Sequence, residues 1–405
     1  MSKRARKILF YSLILGFLVA AAAFLLYAFG WSLNQTSEGT FTLQKTGAVF
    51  LRIKPSETLI KINDKTYTPS NGFLSNGSSE LVKGLLPGNY QIEVSKKNFG
   101  SWQKKLTVKA GLISNASKIF LFPKQIPVEL ISKTDSEKFW LTDSKKQEIK
   151  EIFNSLKQKE LKISGPVAIS QIIAFPFDTS KTLIASPKAL YLLDQNNFSL
   201  EILAQIPIQA FATNGTEIVL VDQENNLQFY DLASKKITEK IPLLFKEEIA
   251  KIIFSKINTQ IGLLTKENRL FVYQRPKQEL KLIAERIKDF RFSPDSKKIA
   301  VLTSTNEIEV IFLGEYRNDF AMASGEKFKL DLSKNGQPLD FDWLPKILDY
   351  LIIKYPDEII AAEVDKRPPA NWWSLGKTIK DFAFDKENNL YFLKDNQFLK
   401  VNLGY

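Results

Sequence analysis

The 405-residue chain contains no cysteine and no histidine. Those two absences exclude a thiol nucleophile, an imidazole general base, a Ser-His-Asp triad, a disulfide framework and the usual zinc sites. Any catalysis would have to be assembled from Asp, Glu, Lys, Arg, Ser, Thr and Tyr. The sequence also lacks a Walker loop, a dinucleotide fingerprint and an Asp-x-Asp-x-Asp-Gly calcium loop, so no catalytic residue, metal ligand or cofactor is expected. What remains is ordinary globular material: 44% of residues are hydrophobic and 25% charged, in a chain long enough for at least two folded units.

One segment departs from that composition. Residues 8–30, ILFYSLILGFLVAAAAFLLYAFG, carry no charge. At about 1.5 Å per residue they are long enough to cross a hydrocarbon core of about 30 Å. Lys3, Arg4, Arg6 and Lys7 precede the run, and the residues just after it hold a single charge, Glu38. That asymmetry predicts a cytoplasmic N-terminal tail (1–7), a transmembrane helix (8–30) and an extracytoplasmic body. Tyr27 and Trp31 stand where an interfacial aromatic belt would lie. The small residues Ala20–Ala23 also suit signal-peptide cleavage, but the apolar run continues past them to Phe29, longer than a signal core. Residues 31–44 read as a juxtamembrane linker.

The net charge is +12, of which the N-terminal tail supplies four and the rest of the chain eight. The lysines of the body are scattered through strands and turns, which suits solvated edge protection better than a nucleic-acid stripe. Acidic wall polymers and anionic lipids remain partners that such a surface suits.

Residues 45–124 hold short alternating runs. In the first, Val49, Leu51 and Ile53 fall on one face and Arg52 and Lys54 on the other, as in a half-buried strand. Asn63-Asp64-Lys65 and Leu86-Pro87-Gly88-Asn89 are turn signals between such runs. The order Gly47-Ala48-Val49, Lys54-Pro55, Ile60 to Asp64, Tyr67-Thr68-Pro69, Leu86 to Val94, then Phe99-Gly100-Ser101-Trp102 resembles a PEGA domain. The eponymous turn is here Pro55-Ser56-Glu57-Thr58, which keeps the proline of that motif and loses its glycine and alanine. The resemblance implies an extracytoplasmic β-sandwich module used as a spacer or adhesive element, without catalytic residues. Phe99 and Trp102 are expected in its core.

From 125 to 405 a weak repeat is anchored by Phe175, Phe211, Phe254, Phe292, Phe341 and Phe384, at successive spacings of 36, 43, 38, 49 and 43 residues. Four-stranded propeller blades repeat at roughly 40 to 45 residues. After most anchors the pattern is turn, strand, turn, strand, a meander whose faces are buried only when blades stack around an axis. Arg291-Phe292-Ser293-Pro294-Asp295 resembles a turn of TolB-like and WD-repeat-like propellers, a likeness that implies architecture and not activity. The fold class expected is therefore all-β: a transmembrane helix, a small PEGA-like sandwich and a propeller of about six blades, or seven if residues 127–163 form a full repeat. The last repeat is short of an outer strand, which is expected from the segment between Pro127 and Ile163. Within that segment Ile149, Ile152, Phe153 and Leu156 lie at helical spacing behind Ser144-x-x-Gln147, predicting a short helix near 144–160.

Asp340, Asp342 and Asp349 are candidate acids for a glycosidase-like alternative using paired carboxylates. Trp372 and Trp373, which neighbouring strand positions would send to opposite faces, read as a blade-to-blade aromatic wedge near ring closure or, with Arg367 beside them, as a candidate binding platform. The function expected is that of a non-catalytic, membrane-anchored envelope protein binding another protein or a glycan.

Overall fold

The computed structural model describes residues 3–404 except 36–39, 64, 68–78, 137–139, 142, 162–167, 176–177 and 333–335. Asp64 of the first turn signal, and Thr68 and Pro69 of the PEGA-like match, lie outside the described residues. The chain divides into two compact units. The first comprises residues 1–121 with two short later segments, 317–321 and 367–371; the second comprises the remainder from Phe122 to Tyr405.

The first unit begins with a helix, Lys3–Ala28, whose stretch Arg6–Ala28 has a mean hydropathy of 2.5 and is long and apolar enough to cross a membrane. Its apolar side chains are exposed. Where a linker was expected, Trp31–Gln35 and Phe41–Lys45 pair as an antiparallel hairpin. The reason is a short alternation that Trp31, Leu33, Phe41 and Leu43 share, too brief to stand out beside the helix.

Two sheets follow. Ser79–Leu85, Gly47–Lys54 and Ile113–Phe120 form one, with the last strand parallel to Gly47–Lys54. Lys65–Tyr67, Leu59–Ile62, Gly88–Ser95 and Trp102–Val108 form the other, all antiparallel. Alternation decides which side chains enter the core: Val49, Leu51, Ile53, Ile60, Ile62, Ile92, Val94 and Leu106 are buried, and Trp102 is fully buried. Phe99 is half-buried, with the Lys96 ammonium 5.9 Å from its ring.

The second unit holds, among the described residues, six four-stranded antiparallel sheets in sequence, the blades of a β-propeller. Blade 1 runs from Gln171 to Ala204, blade 2 from Ile208 to Pro242 and blade 3 from Ile249 to Glu285. Blade 4 takes Ile287–Phe292, Lys298–Thr303, Ile308–Phe312 and Lys327–Lys329, and blade 5 Asp340–Trp343, Tyr350–Lys354, Glu358–Glu363 and Trp372–Lys377. Blade 6 has three strands from the end of the chain, Asp381–Phe384, Leu390–Lys394 and Gln397–Val401. Its outer strand, Val128–Ile131, comes from the start of the unit, pairing Val128 with Val401 and Ile131 with Phe398. One sheet therefore joins both ends of the propeller sequence.

Blades 2, 3 and 4 share one irregularity: a register shift at the start of the first strand, after Ile208, Ile249 and Ile287. A helix, Asp143–Leu161, lies against blade 1, burying Ile149 and Phe153 with Ile184, Tyr191 and Leu193. It starts one residue before Ser144, so that residue lies inside the helix rather than ahead of it, within the one- or two-residue play of helix ends.

Candidate functional site

In the first unit, strands Gly88–Ser95 and Trp102–Val108 set Gln91 opposite Lys105 and Asn89 opposite Thr107. Because Trp102, Lys104, Leu106 and Val108 point inward, Lys105 and Thr107 point out. The outer edge of this sheet is covered by the segment 367–371. Lys105 N donates to Pro368 O at 2.8 Å, and Asn371 both accepts from Gln103 N at 3.1 Å and donates to Gln103 O at 2.9 Å. The fully buried Lys104 donates to Pro369 O at 2.9 Å.

Segment 317–321 does the same for strand Ile113–Phe120, where the Asp319 carboxylate accepts from Ser117 N at 2.9 Å and from Ser117 Oγ at 2.7 Å. Arg367 ties the two segments together, donating to Asn115 O at 2.7 Å and to Asp319 O at 3.0 Å, with its guanidinium 5.8 Å from the Phe320 ring. These covers protect edge backbone that would otherwise seek strand partners.

Beside the covered edges lies an open groove of about 840 Å³, whose lining includes Gln91, Lys105, Lys109, Asn115, Asn318 and Arg367. Among the described residues, the side chains of the first five hold no hydrogen bond or ion pair, whereas Arg367 is fixed in place. The groove thus offers two ammonium groups, three amides and an oriented guanidinium to a polar ligand. Sequence reasoning reached only Arg367, because the lining comes from positions as far apart as Asn63 and Pro368.

Trp372 and Trp373 belong to the second unit and Arg367 to the first. Trp373 is 8% exposed and packs on Phe122 and Tyr350, with ring centroids 5.1 and 6.0 Å away. Trp372 pairs opposite Ala362, is half-buried and is itself in contact with neighbouring groups. The adjacent indoles do separate by burial, as strand geometry requires.

The propeller carries a second constellation. The first strands of blades 3, 4 and 5 are joined by Lys251, which lies 2.7 Å from Asp289, and by Arg291, which lies 2.8 Å from Asp289 and 3.2 Å from Asp340. Burial works to raise Asp289, but Arg291 and Lys251 outweigh it and hold its carboxyl below the ordinary range. For Asp340 burial wins over Arg291 and pushes the carboxyl up. Lys251 is pushed down, by burial and then by the nearby Arg291.

Asp340 and Asp342 open onto a pocket of about 250 Å³ walled by Phe341, Trp343, Phe382 and Phe384. Asp342 accepts from Trp343 N at 2.8 Å. Of the three candidate acids, the structure groups these two and separates Asp349, which pairs with Lys298 at 2.6 Å in a buried site between blades 4 and 5. Asp289 and Arg291 were not among the sequence candidates, and only the ion pairs between blades single them out. Among the described residues, no group of carboxylates is arranged to hold a metal ion.

No family model and no curated protein matches the sequence. The solved structures that resemble the fold include the beta-propeller domain of Myceliophteria thermophila Cps50 (Swd1). The match has a TM-score of 0.37 and 11% identity, over 53% of this chain and 72% of that one.

Proposed function

We propose that this protein is a non-catalytic binding or scaffold protein of the cell envelope, held in the membrane by helix Lys3–Ala28 with its body on the extracytoplasmic side. The reading includes a PEGA-like module for residues 45–124 and a propeller for residues 125–405. The observation that carries it is the open groove, with the unpaired Lys105 and Lys109 beside Gln91, Asn115 and Asn318. Amides and ammonium groups without internal partners are suited to the hydroxyl and carboxylate groups of an acidic glycan, and Arg367 adds a guanidinium already oriented by two backbone carbonyls.

The test uses the full chain in nanodiscs as bait for acidic polysaccharide purified from envelopes. Capture is expected, should weaken with added salt, and should drop several-fold in a Lys105→Glu, Lys109→Glu variant, since both side chains are exposed and leave the core untouched. Equal capture by the variant would remove the groove from the reading.

A second reading, a propeller hydrolase, is favoured by one observation: the raised carboxyl of Asp340 beside Asp342 in the pocket between blades. Paired carboxylates about 5 to 9.5 Å apart serve glycoside hydrolysis when both are available to the substrate. Here Arg291 holds Asp289 and Asp340 from between, which supports a structural role for them. Turnover of a glycoside panel by the native protein that Asp340→Asn abolishes would restore the enzyme.

A further inference from the structure

The hairpin that follows the apolar helix is two-faced. Its register sets Trp31 opposite Lys45 and Leu33 opposite Leu43, so these four residues and Phe41 share one face; Ser32, Thr42 and Gln44 share the other. On the first face Leu33 is 65% exposed, Phe41 67% and Leu43 44%. Large apolar side chains gathered on one side of an isolated two-stranded ribbon call for a cover, because such a ribbon is at best marginally stable in water.

The chain connection sets the ribbon beside the end of the apolar helix. Helix Lys3–Ala28 ends three residues before Trp31, so the ribbon starts within about 10 Å of the helix end, given a reach of about 3.3 to 3.6 Å per residue. The far end of the second strand returns to the same place: Thr46 donates to Gly30 O from both its N and its Oγ1, each at 2.7 Å. Phe29, at the same junction, is 71% exposed. If the helix crosses a bilayer, a ribbon pinned at both ends to its terminus is held at the headgroup layer.

We propose that the hairpin 31–45 is a second, interfacial part of the membrane anchor, with Trp31, Leu33, Phe41 and Leu43 resting among lipid headgroups and upper acyl chains. Trp31 occupies the depth where aromatic rings concentrate, and Lys45 reaches phosphate from the rim. The polar face, Ser32, Thr42 and Gln44, turns to water. The ribbon then acts as a foot that stops the body from pivoting about a single helix. This inference rests on the spanning reading of the helix, and its test reports on the two separately.

The chain has no native cysteine, so single labels are clean. Leu33→Cys, Leu43→Cys, Gln44→Cys and Phe17→Cys, each made in the full chain, would carry an environment-sensitive fluorophore in vesicles of phosphatidylcholine and phosphatidylglycerol. Lipids bearing a nitroxide near the headgroup or near the bilayer centre serve as quenchers. The proposal expects labels at 33 and 43 to be quenched several-fold more by the shallow nitroxide than the label at 44, and the label at 17 to be quenched by the deep one. A label at 17 quenched while 33, 43 and 44 behave alike overturns the interfacial foot and leaves the spanning helix intact. An unquenched label at 17 overturns both. A water-shielded environment at 33 and 43 without lipid quenching, lost when protein is diluted into excess lipid, assigns the face to a second copy and also overturns the proposal.

Discussion

Lys298 gives the propeller turn of Arg291 to Asp295 its physical meaning. Its side chain is almost fully buried, with Asp349 at 2.6 Å, Asp295 at 3.3 Å and the rings of Tyr316, Trp343 and Phe312 at 5.2, 5.8 and 6.0 Å. Asp349 also accepts from the Tyr316 hydroxyl at 3.1 Å. Removing one partner of a buried pair strands the other charge, so Lys298→Met is expected to cost about 3 to 5 kcal/mol in urea unfolding, with Lys298→Met, Asp349→Leu recovering much of it. Trp373→Ala should cost about 3 to 5 kcal/mol, as for a buried large aromatic, and the half-buried Trp372→Ala clearly less. At the same scale lies the acid response. Burial works to raise Asp385, but hydrogen bonds from Asn389 and Tyr391 outweigh it and lower it; Asp295 and Asp289 are lowered as well. A depressed carboxyl contributes stability above its unfolded value, near 3.8, and loses it as pH falls through the folded value. Asp340, raised by burial, acts in the opposite sense: its contribution is lost as pH rises from about that value through its folded one. Stability is therefore expected to decline below pH 3.8, and Asp385→Asn should flatten that acid limb in thermal melts recorded against pH.

The blades are built by a turn that recurs at the level of the element. Asp222, Thr265 and Thr303 each accept, through the carbonyl, from the N of an asparagine three residues on, Asn225, Asn268 and Asn306. The same three side chains accept from the N of Asn226, Arg269 and Glu307. Ser255 to Asn258, Ser293 to Ser296 and Asp385 to Asn388 repeat the device between first and second strands. The fourth residue has a positive φ in each, 64° at Asn268 for example, a conformation that asparagine tolerates better than most. Asn268→Ala is expected to cost about 1 to 2 kcal/mol and Asn268→Gly much less, measured as unfolding free energies. This Ser/Thr/Asp-x-x-Asn signal was present in the sequence and would have located the turns more sharply than the phenylalanine anchors did. The anchors located the blades because Phe211, Phe292 and Phe341 are core residues recurring at the blade period, and Phe211 and Phe292 fill the cores between their own blade and the one before it. The hairpin at 31–45 escaped notice since its alternation is only five residues long on each side.

For the molecule as a whole, what was legible followed from periodicity: the apolar helix, the β-rich body, six blades and an outer strand borrowed from the N-terminal side for the last of them. The groove was not legible, because pairing across the chain creates it, with Asn318 and Arg367 reaching it from segments inserted between blade strands. The tryptophan pair drew attention by composition, and Trp373 is the one of the two that serves packing. All of the functional reading depends on which side of a membrane the body occupies. The most direct measurement is protease digestion of intact cells, or of spheroplasts where an outer barrier exists, followed by detection of an N-terminal and a C-terminal tag. An extracytoplasmic body predicts loss of the C-terminal tag while a stub that keeps the helix and ends within or just after the ribbon Trp31–Lys45 stays membrane-bound. A C-terminal tag that survives until the membrane is lysed would contradict it.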